Sequence, residues 1–269
     1  MTISLFSTGN LLAWCIVPYD ARQRTPQARL EMLKHLGFTQ YGYDWRAHHL
    51  DTLAEEIRLA QGYDIHIAAV WMWFDKDHDT VGKLSANNQK LLDILQRSGL
   101  KTRIWLGFNS NCLDGQDDVT KVQQAANLVR YLRQITASFV TGVGLYNHGD
   151  WIGEPENQLK IIDALADPAV GIVYNWHHAH EHLNRFPALL AAMLPHLWTV
   201  NLNGMTAGGP KILPLGSGEE DLTLLRGLVE SGFQGSVGVL CHVEDEDAET
   251  VLQRNLLGLR RLAPLTSGQ

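Results

Sequence analysis

The chain has 269 residues, 45% of them hydrophobic and 19% charged, enough to bury a sizeable core in one large or two small domains. A formal net charge of −7 provides no general basic surface for tracking a phosphate backbone, which argues against a nucleic-acid partner. No stretch approaches the ~18 consecutive apolar residues of a membrane span, so no membrane partner is expected.

The apolar run from Met1 to Val17 has no basic start and is interrupted by Gly9 and Asn10, unlike a secretory leader. Cys15, Cys112 and Cys241 lie far apart with no Cys-x-x-Cys spacing. That is the pattern of free thiols in a reducing compartment, and a cytoplasmic protein is expected.

The first β-rich run, Leu11 to Val17, stops at Pro18-Tyr19-Asp20. A helical stripe from Pro26 carries Leu30, Leu33 and Leu36 and closes at Gly37. Gln40 to Trp45 predicts a short strand ending at Asp44, Trp45 and Arg46, and Leu50 to Ala60 predicts a helix. The long apolar run Ile65 to Phe74 precedes a charged loop and a helix marked by Leu91, Leu92 and Leu95. Thr102 to Phe108 is a fourth strand, and Val122, Ala126, Val129 and Leu132 stripe the helix after it. The fifth strand carries Val143 and Leu145 and breaks at Asn147, His148 and Asp150, with Glu154-Pro155-Glu156 opening the next helix.

Val170 to Tyr174 then runs into Asn175-Trp176-His177-His178-Ala179-His180, ahead of a helix with Leu189, Leu190 and Met193. Trp198 to Leu202 is strand seven, followed by a loop of glycine and proline through Gly218 and a helix with Leu222, Leu225 and Leu228. Ser236 to Cys241 ends at His242, and Val251, Leu252, Leu256 and Leu259 line the last helix. Eight strands alternating with eight helices in one uninterrupted domain predict an α/β protein, a (β/α)₈ barrel spanning residues 1–269. A doubly wound sheet competes, but Val17-Pro18-Tyr19-Asp20 is nothing like its phosphate loop.

Barrels of this kind build their sites at the C-terminal ends of the strands. Those ends carry Asp20, Asp44, Arg46, Asn109, Asn147, His148, Asp150, Asn175, His177, His178, His180, Asn201, Asn203 and His242, whereas Thr39, Lys101 and Gly235 at the opposite ends are bland. Asp44 and Asp150 taken singly are as well explained by capping or turns, and Glu154 beside Pro155 suits a helix start. The tryptophans suit core layers as well as sugar stacking. His148, His178 and His242, on three separate strand ends, are stronger, because imidazole is both the usual acid/base near neutrality and a common metal ligand. The loop Gly208 to Gly218 reads as a tight turn rather than an anion cradle, since Glu219, Glu220 and Asp221 follow it.

At these residues the chain resembles the xylose-isomerase-like barrels, which include sugar-phosphate isomerases and epimerases, inosose dehydratases and the endonuclease IV type. Tyr146-Asn147-His148-Gly149 resembles that family's Glu-Asn-His-Gly, Asn175-Trp176-His177-His178 its Asp-x-x-His, and Pro214-Leu215-Gly216-Ser217-Gly218 its Pro-Leu-Gly-x-Gly loop. One branch is more similar still, sharing Tyr43-Asp44-Trp45-Arg46, the stretch Asn147 to Asn157, and Asn201-Leu202-Asn203-Gly204-Met205. The family's metal tetrad of Glu, Asp, His and Glu falls on Tyr146, Asn175, Asn201 and Leu240, so the resemblance implies that the inherited Mg²⁺ or Mn²⁺ site is gone. A shifted site for one transition metal, Zn²⁺ or Mn²⁺, would use His148, His178 and His242.

The expectation is an enzyme that moves a proton next to a carbonyl of a sugar or keto-sugar, as an isomerase, an epimerase or a β-elimination lyase. His148 or Glu154 would be its base and His178 its acid or electrophile. Asp44, Arg46, Asn175, His180, Asn201 and Asn203 would hold substrate hydroxyls. A non-catalytic sugar-binding or regulatory barrel is the alternative, and an endonuclease IV-like repair enzyme is the reading least favoured by the charge. Oligomeric state is left open.

Overall fold

Apolar runs flanked by helices demand a parallel sheet covered on its outer face, and here the sheet closes on itself. The computed structural model describes residues 5–266 apart from the side chains of residues 110 and 111, so the start of the apolar run read at Met1 lies outside the described residues. Strands β1 (Leu11–Trp14), β2 (Gln40–Tyr43), β3 (His66–Phe74) and β4 (Thr102–Phe108) pair in order. They continue into β5 (Val140–Tyr146), β6 (Val170–Asn175), β7 (Leu197–Leu202) and β8 (Ser236–Leu240), which pairs back to β1. All of these pairings are parallel, so the predicted TIM barrel is the observed fold.

The outer helices are α1 (Pro26–Leu36), α2 (Leu53–Tyr63), α3 (Ala86–Ser98), α4 (Asp118–Thr136), a four-residue α5 (Asp150–Gly153), α6 (Pro155–Leu165), α7 (Phe186–Met193), α8 (Asp221–Glu230) and α9 (Ala248–Leu262). The short α5 is the addition to the expected alternation. None of the described helices is long and apolar enough to cross a membrane. Helix α1 starts at Pro26 and stops at Gly37 as read from sequence: the Thr25 hydroxyl caps it by accepting from the Ala28 amide, and Gly37 ends it at φ 84°.

Two apolar layers hold the barrel. Between barrel and helices, side chains such as Leu30, Leu33, Leu91, Leu95, Leu225 and Leu252 are fully buried. Each contributes about 1.5–3 kcal/mol by leaving water. In that layer Glu56 of α2 accepts from Arg29 of α1 at 2.5 Å and from the Tyr41 hydroxyl at 2.7 Å, fastening α1, α2 and β2 around one buried carboxylate. The barrel interior holds a second cluster of Leu12, Trp14, Ala69, Trp105, Tyr146, Val173 and Leu240. Indole rings fit there because the facing positions lack a Cβ: one at Gly107 would sit 2.4 Å from Trp73, and one at Gly42 would sit 2.6 Å from Trp14.

Strand β1 ends earlier than the apolar run predicts. Cys15 has φ 60°, a left-handed turn that stops the ladder at Trp14, and the Val17 amide beyond it donates to Asp44 rather than to a strand. The loop after β7 confirms the tight-turn reading. Asp221 accepts from the amides of Met205 (2.6 Å), Gly216 (2.6 Å) and Gly218 (3.2 Å), so those amides are already spent on a carboxylate of the chain.

Candidate active site

The C-terminal end of the barrel opens into a cavity of about 380 Å³, within the usual range for a small-molecule site. Its floor is aromatic because inward positions of β1, β3 and β5 carry large rings. Tyr146 accepts the Trp14 indole N–H at 3.0 Å, and Trp71 meets Tyr146 edge-on at 4.6 Å between ring centroids. Trp105 supports Trp14 from beneath at 4.7 Å. Trp73 forms part of one wall, its indole N–H donating to Asn109 at 2.5 Å.

Imidazoles form the rim. His148 lies two residues past Tyr146, on the same side of the chain, and packs edge-on against Trp73 at 4.6 Å. Strand β6 gives way to a single 3₁₀ turn, Trp176–His178, so two consecutive residues both reach the cavity. His178 lies 4.5 Å from His148 between ring centroids, and His177 lies 5.5 Å from His242. His242 packs at a tilt against Tyr19, 3.8 Å between ring centroids, and Tyr19 accepts from Arg46 at 2.8 Å.

Burial pushes each of these imidazoles below its ordinary value; the Lys211 ammonium acts in the same direction on all four, neighbouring imidazoles do so on His177, His178 and His242, and Asp150 opposes it at His148. His178 falls to about 2 and His242 to about 4, while His148 and His177 are lowered. All of them are therefore neutral at pH 7, able to donate or accept a hydrogen bond without carrying charge.

Asp44 behaves in the opposite way. It follows β2, is 3% exposed, and lines the same cavity. Burial raises its carboxyl to about 7 against the opposing Val17 N–H, which donates to Oδ1 at 3.3 Å. Its Oδ2 is buried and has no protein partner among the described residues; the same holds for Nδ1 of His177 and of His242.

Of the residues singled out from sequence, Asp44, Arg46, His148, His178 and His242 come together around this cavity. Others do not. Glu154 caps α6 outside the cavity lining: Arg185 binds one of its oxygens and His182 Nε2 lies 3.3 Å from the other. Burial would raise that carboxyl, but Arg185 and His182 outweigh it and hold it below its ordinary value, a poor setting for a base. His180 is tied at the surface to the Pro210 carbonyl at 3.2 Å.

Asn175 and Asn201, expected to hold hydroxyls, instead bond within the chain, although the buried Oδ1 of Asn201 keeps no partner among the described residues. Asn147 Oδ1 accepts from the backbone and side-chain amides of Asn175 at 2.7 and 2.8 Å, and Asn201 donates to Asn175 Oδ1 at 2.5 Å. This buried amide chain crosses β5, β6 and β7 and keeps their ends in register. Asn203 turns to the Gly204 carbonyl at 2.8 Å. Tyr19, Cys15 and Tyr146 line the cavity without having been expected to, and His177, named at the end of strand six but given no role, lines it as well. The adjacent pair His177-His178 was the available signal.

The metal expectations meet a donor set that does not fit. The tetrad positions hold the Tyr146 hydroxyl engaged by Trp14, two amides engaged with each other, and the hydrocarbon of Leu240. The three-histidine alternative is not assembled either, because His242 packs against Tyr19 and its near imidazole is His177, not the His148–His178 pair. Among the described residues no group of three or more His, Cys, Asp or Glu is placed to hold a metal ion.

No protein-family model and no curated protein matches the chain. Solved structures do. The 3-keto-D-glucoside 4-epimerase YcjR of E. coli, in its apo form, is 16% identical and superposes with a TM-score of 0.69 over 94% of this chain and 99% of its own. The IolI protein, solved with a bound zinc atom, is 14% identical with a TM-score of 0.73 over 97% of this chain and all of its own (100%). D-psicose 3-epimerase of Clostridium cellulolyticum, solved with D-tagatose, is 10% identical with a TM-score of 0.64 over 94% and 99%. At such identities the likeness shows the fold alone, a TIM barrel, as expected from the sequence.

Proposed function

We propose that the chain is an enzyme that moves a proton next to the carbonyl of a small polyhydroxylated substrate, a sugar or keto-sugar, with Asp44 as base. One observation carries the reading. A buried carboxyl with an unengaged oxygen opens onto the same cavity as four uncharged imidazoles, above an aromatic floor. A base is best matched to neutral conditions when its own value lies near 7, and Asp44 meets that condition where the lowered histidines do not.

In the proposed reaction the Asp44 carboxylate takes the proton from the carbon beside the carbonyl. The C–H electron pair becomes a carbon–carbon double bond, and the carbonyl oxygen gathers negative charge. Neutral His148 and His178, side by side at 4.5 Å, are placed to donate hydrogen bonds to that oxygen. Returning the proton to the former carbonyl carbon, while the hydroxyl proton on the adjacent oxygen passes to the oxyanion, gives an isomer; protonating the original carbon on its opposite face gives an epimer; and re-forming the carbonyl as a β-substituent departs with its bonding electron pair gives a lyase product. The apolar faces of Trp14, Trp71 and Tyr146 would pack against the C–H face of the sugar. The epimerases of the same fold, which act on a keto-glucoside and on ketohexoses by name, favour a substrate of this class. A small molecule is the proposed partner, rather than nucleic acid or a membrane.

The binding-only alternative has its own supporting observation, since the tetrad positions hold no carboxylate. Incubation with a panel of ketoses and keto-glycosides in D₂O separates the two. Deuterium entering the carbon beside the carbonyl, and lost in Asp44→Asn, supports the enzyme. Ligands that bind without any exchange support the binder.

A further inference from the structure

The opposite end of the barrel, where the strands begin, holds a second cavity of about 510 Å³. Residue order made this end look bland, and in barrels it usually serves stability. Its lining includes His66 at the start of β3, Lys101 just before β4 and Arg103 on β4, and it contains no acid. Register sets the three close together. Arg103 pairs with Ala69, three residues after His66, and stands two residues after Lys101.

Arg103 is the unusual member. It lies two residues before Trp105 of the interior cluster, so strand alternation turns its side chain toward the barrel axis. There the guanidinium lies over the Trp198 ring, 4.5 Å from the centroid. Trp198 is itself fixed, because it fills space left by two glycines of neighbouring strands. A Cβ at Gly142 would sit 2.8 Å from the ring, and one at Gly171 would strike it outright. The arginine therefore rests on a rigid aromatic platform, and none of its N–H groups has an acceptor among the described residues.

The charge is not balanced from within the chain. His66, Lys101 and Arg103 form no ion pair among the described residues. Lys101 donates to the Ser138 carbonyl at 2.6 Å, a neutral acceptor. Burial lowers both the Arg103 guanidinium and the His66 imidazole, and no acid acts against it at either. Asp167, which precedes β6, is bound by Arg133 at 3.0 Å, and Asp64, two residues before His66, lies outside the lining. A half-buried guanidinium without a carboxylate carries a desolvation cost that a bound anion would offset.

We infer that the strand-start end of the barrel is a second binding site, which takes a phosphoryl oxyanion, free or on a small phosphomonoester, against Arg103, Lys101 and His66. A tetrahedral oxyanion suits three donors from two strand starts, whereas a single guanidinium fork would satisfy a planar carboxylate. Trp105, 1% exposed, fills the barrel between this end and the Asp44 cavity. The ligand is therefore not the substrate, and the site stands whether or not the proton-transfer reading does.

The test uses the full chain with inorganic phosphate, glycerol 3-phosphate and acetate. Histidine ring signals are followed by NMR, and affinity by calorimetry, at about 20 and about 200 mM NaCl to vary screening. His66 reports on the strand-start end, and His148 and His178 report on the other. The expected result is that phosphate or glycerol 3-phosphate shifts the His66 signals at or below about 5 mM and leaves those of His148 and His178 in place. Binding should weaken at the higher salt, by about ten-fold or more in Arg103→Gln, and by about three-fold or more in Lys101→Gln. Lys101 is exposed, so its variant carries the test even where Arg103→Gln fails to fold. Failure of both phosphoryl probes to move His66 up to about 50 mM would overturn the inference. So would acetate bound as tightly as phosphate, a shift confined to His148 and His178, or affinity unchanged in both variants.

Discussion

Tyr146 accepts the Trp14 indole N–H at 3.0 Å inside the barrel, so the residue at the end of β5 ties two strands together across the floor of the cavity. Its hydroxyl is spent on a protein donor. Tyr146→Phe leaves that donor buried without an acceptor, which costs about 1–3 kcal/mol. Calorimetry should show a melting temperature lower by several degrees, with ligand affinity changed little. An unchanged melting temperature would mean that the contact contributes nothing.

Asp44 should be a liability to the fold. Burial raises its carboxyl to about 7, so the folded chain keeps a proton that the unfolded chain releases near its ordinary carboxylate value. Its contribution to stability is full below the unfolded value and is lost as pH rises through about 7. Asn carries no charge to bury. Asp44→Asn should match the parent in urea unfolding near pH 4 and exceed it by roughly 2–4 kcal/mol at pH 8, while losing activity. A variant less stable than the parent at pH 8 contradicts this account.

Activity should rise through about pH 7 as Asp44 ionises, with no step there from His178 and His242, which burial holds at about 2 and about 4. His148→Gln should lower turnover about 10²–10³-fold, the scale of one lost donor to a developing oxyanion. It should leave the pH midpoint where it was. A midpoint displaced by more than a unit would assign the titration to the histidine.

Glu154→Gln separates the sequence expectation from the structure. Glu154 belongs to an exposed ion pair with Arg185, so its loss should cost about 0–1 kcal/mol of stability and change turnover less than about three-fold. A loss of a hundred-fold would restore it to the reaction.

The barrel was legible because each strand is an apolar run stopped by polar residues and followed by a helical stripe, a pattern few folds accommodate. The place of the cavity followed from the same pattern, through His148, His178 and His242 at separate strand ends. Which way each strand-end side chain points was not legible. Asn175 and Asn201 look like hydroxyl holders in sequence, yet the Asn201 side-chain N–H is given to Asn175 on the neighbouring strand rather than to a ligand. Glu154 looked available until Arg185, 31 residues on, was folded against it. His177 was undervalued because strand alternation would hide one member of a histidine pair, whereas a 3₁₀ turn presents both. The charge state of Asp44 depends on how deeply the short strand before it is buried, and residue order does not carry that.

The most direct measurement is deuterium exchange from D₂O into the carbon beside the carbonyl of a keto-sugar panel, by chelator-treated parent and Asp44→Asn proteins across pH 5 to 9. The account predicts exchange that survives chelation, rises through about pH 7 and falls at least about a hundred-fold in Asp44→Asn, with binding retained. Exchange that appears only with an added divalent metal, or that continues undiminished in Asp44→Asn, would contradict it.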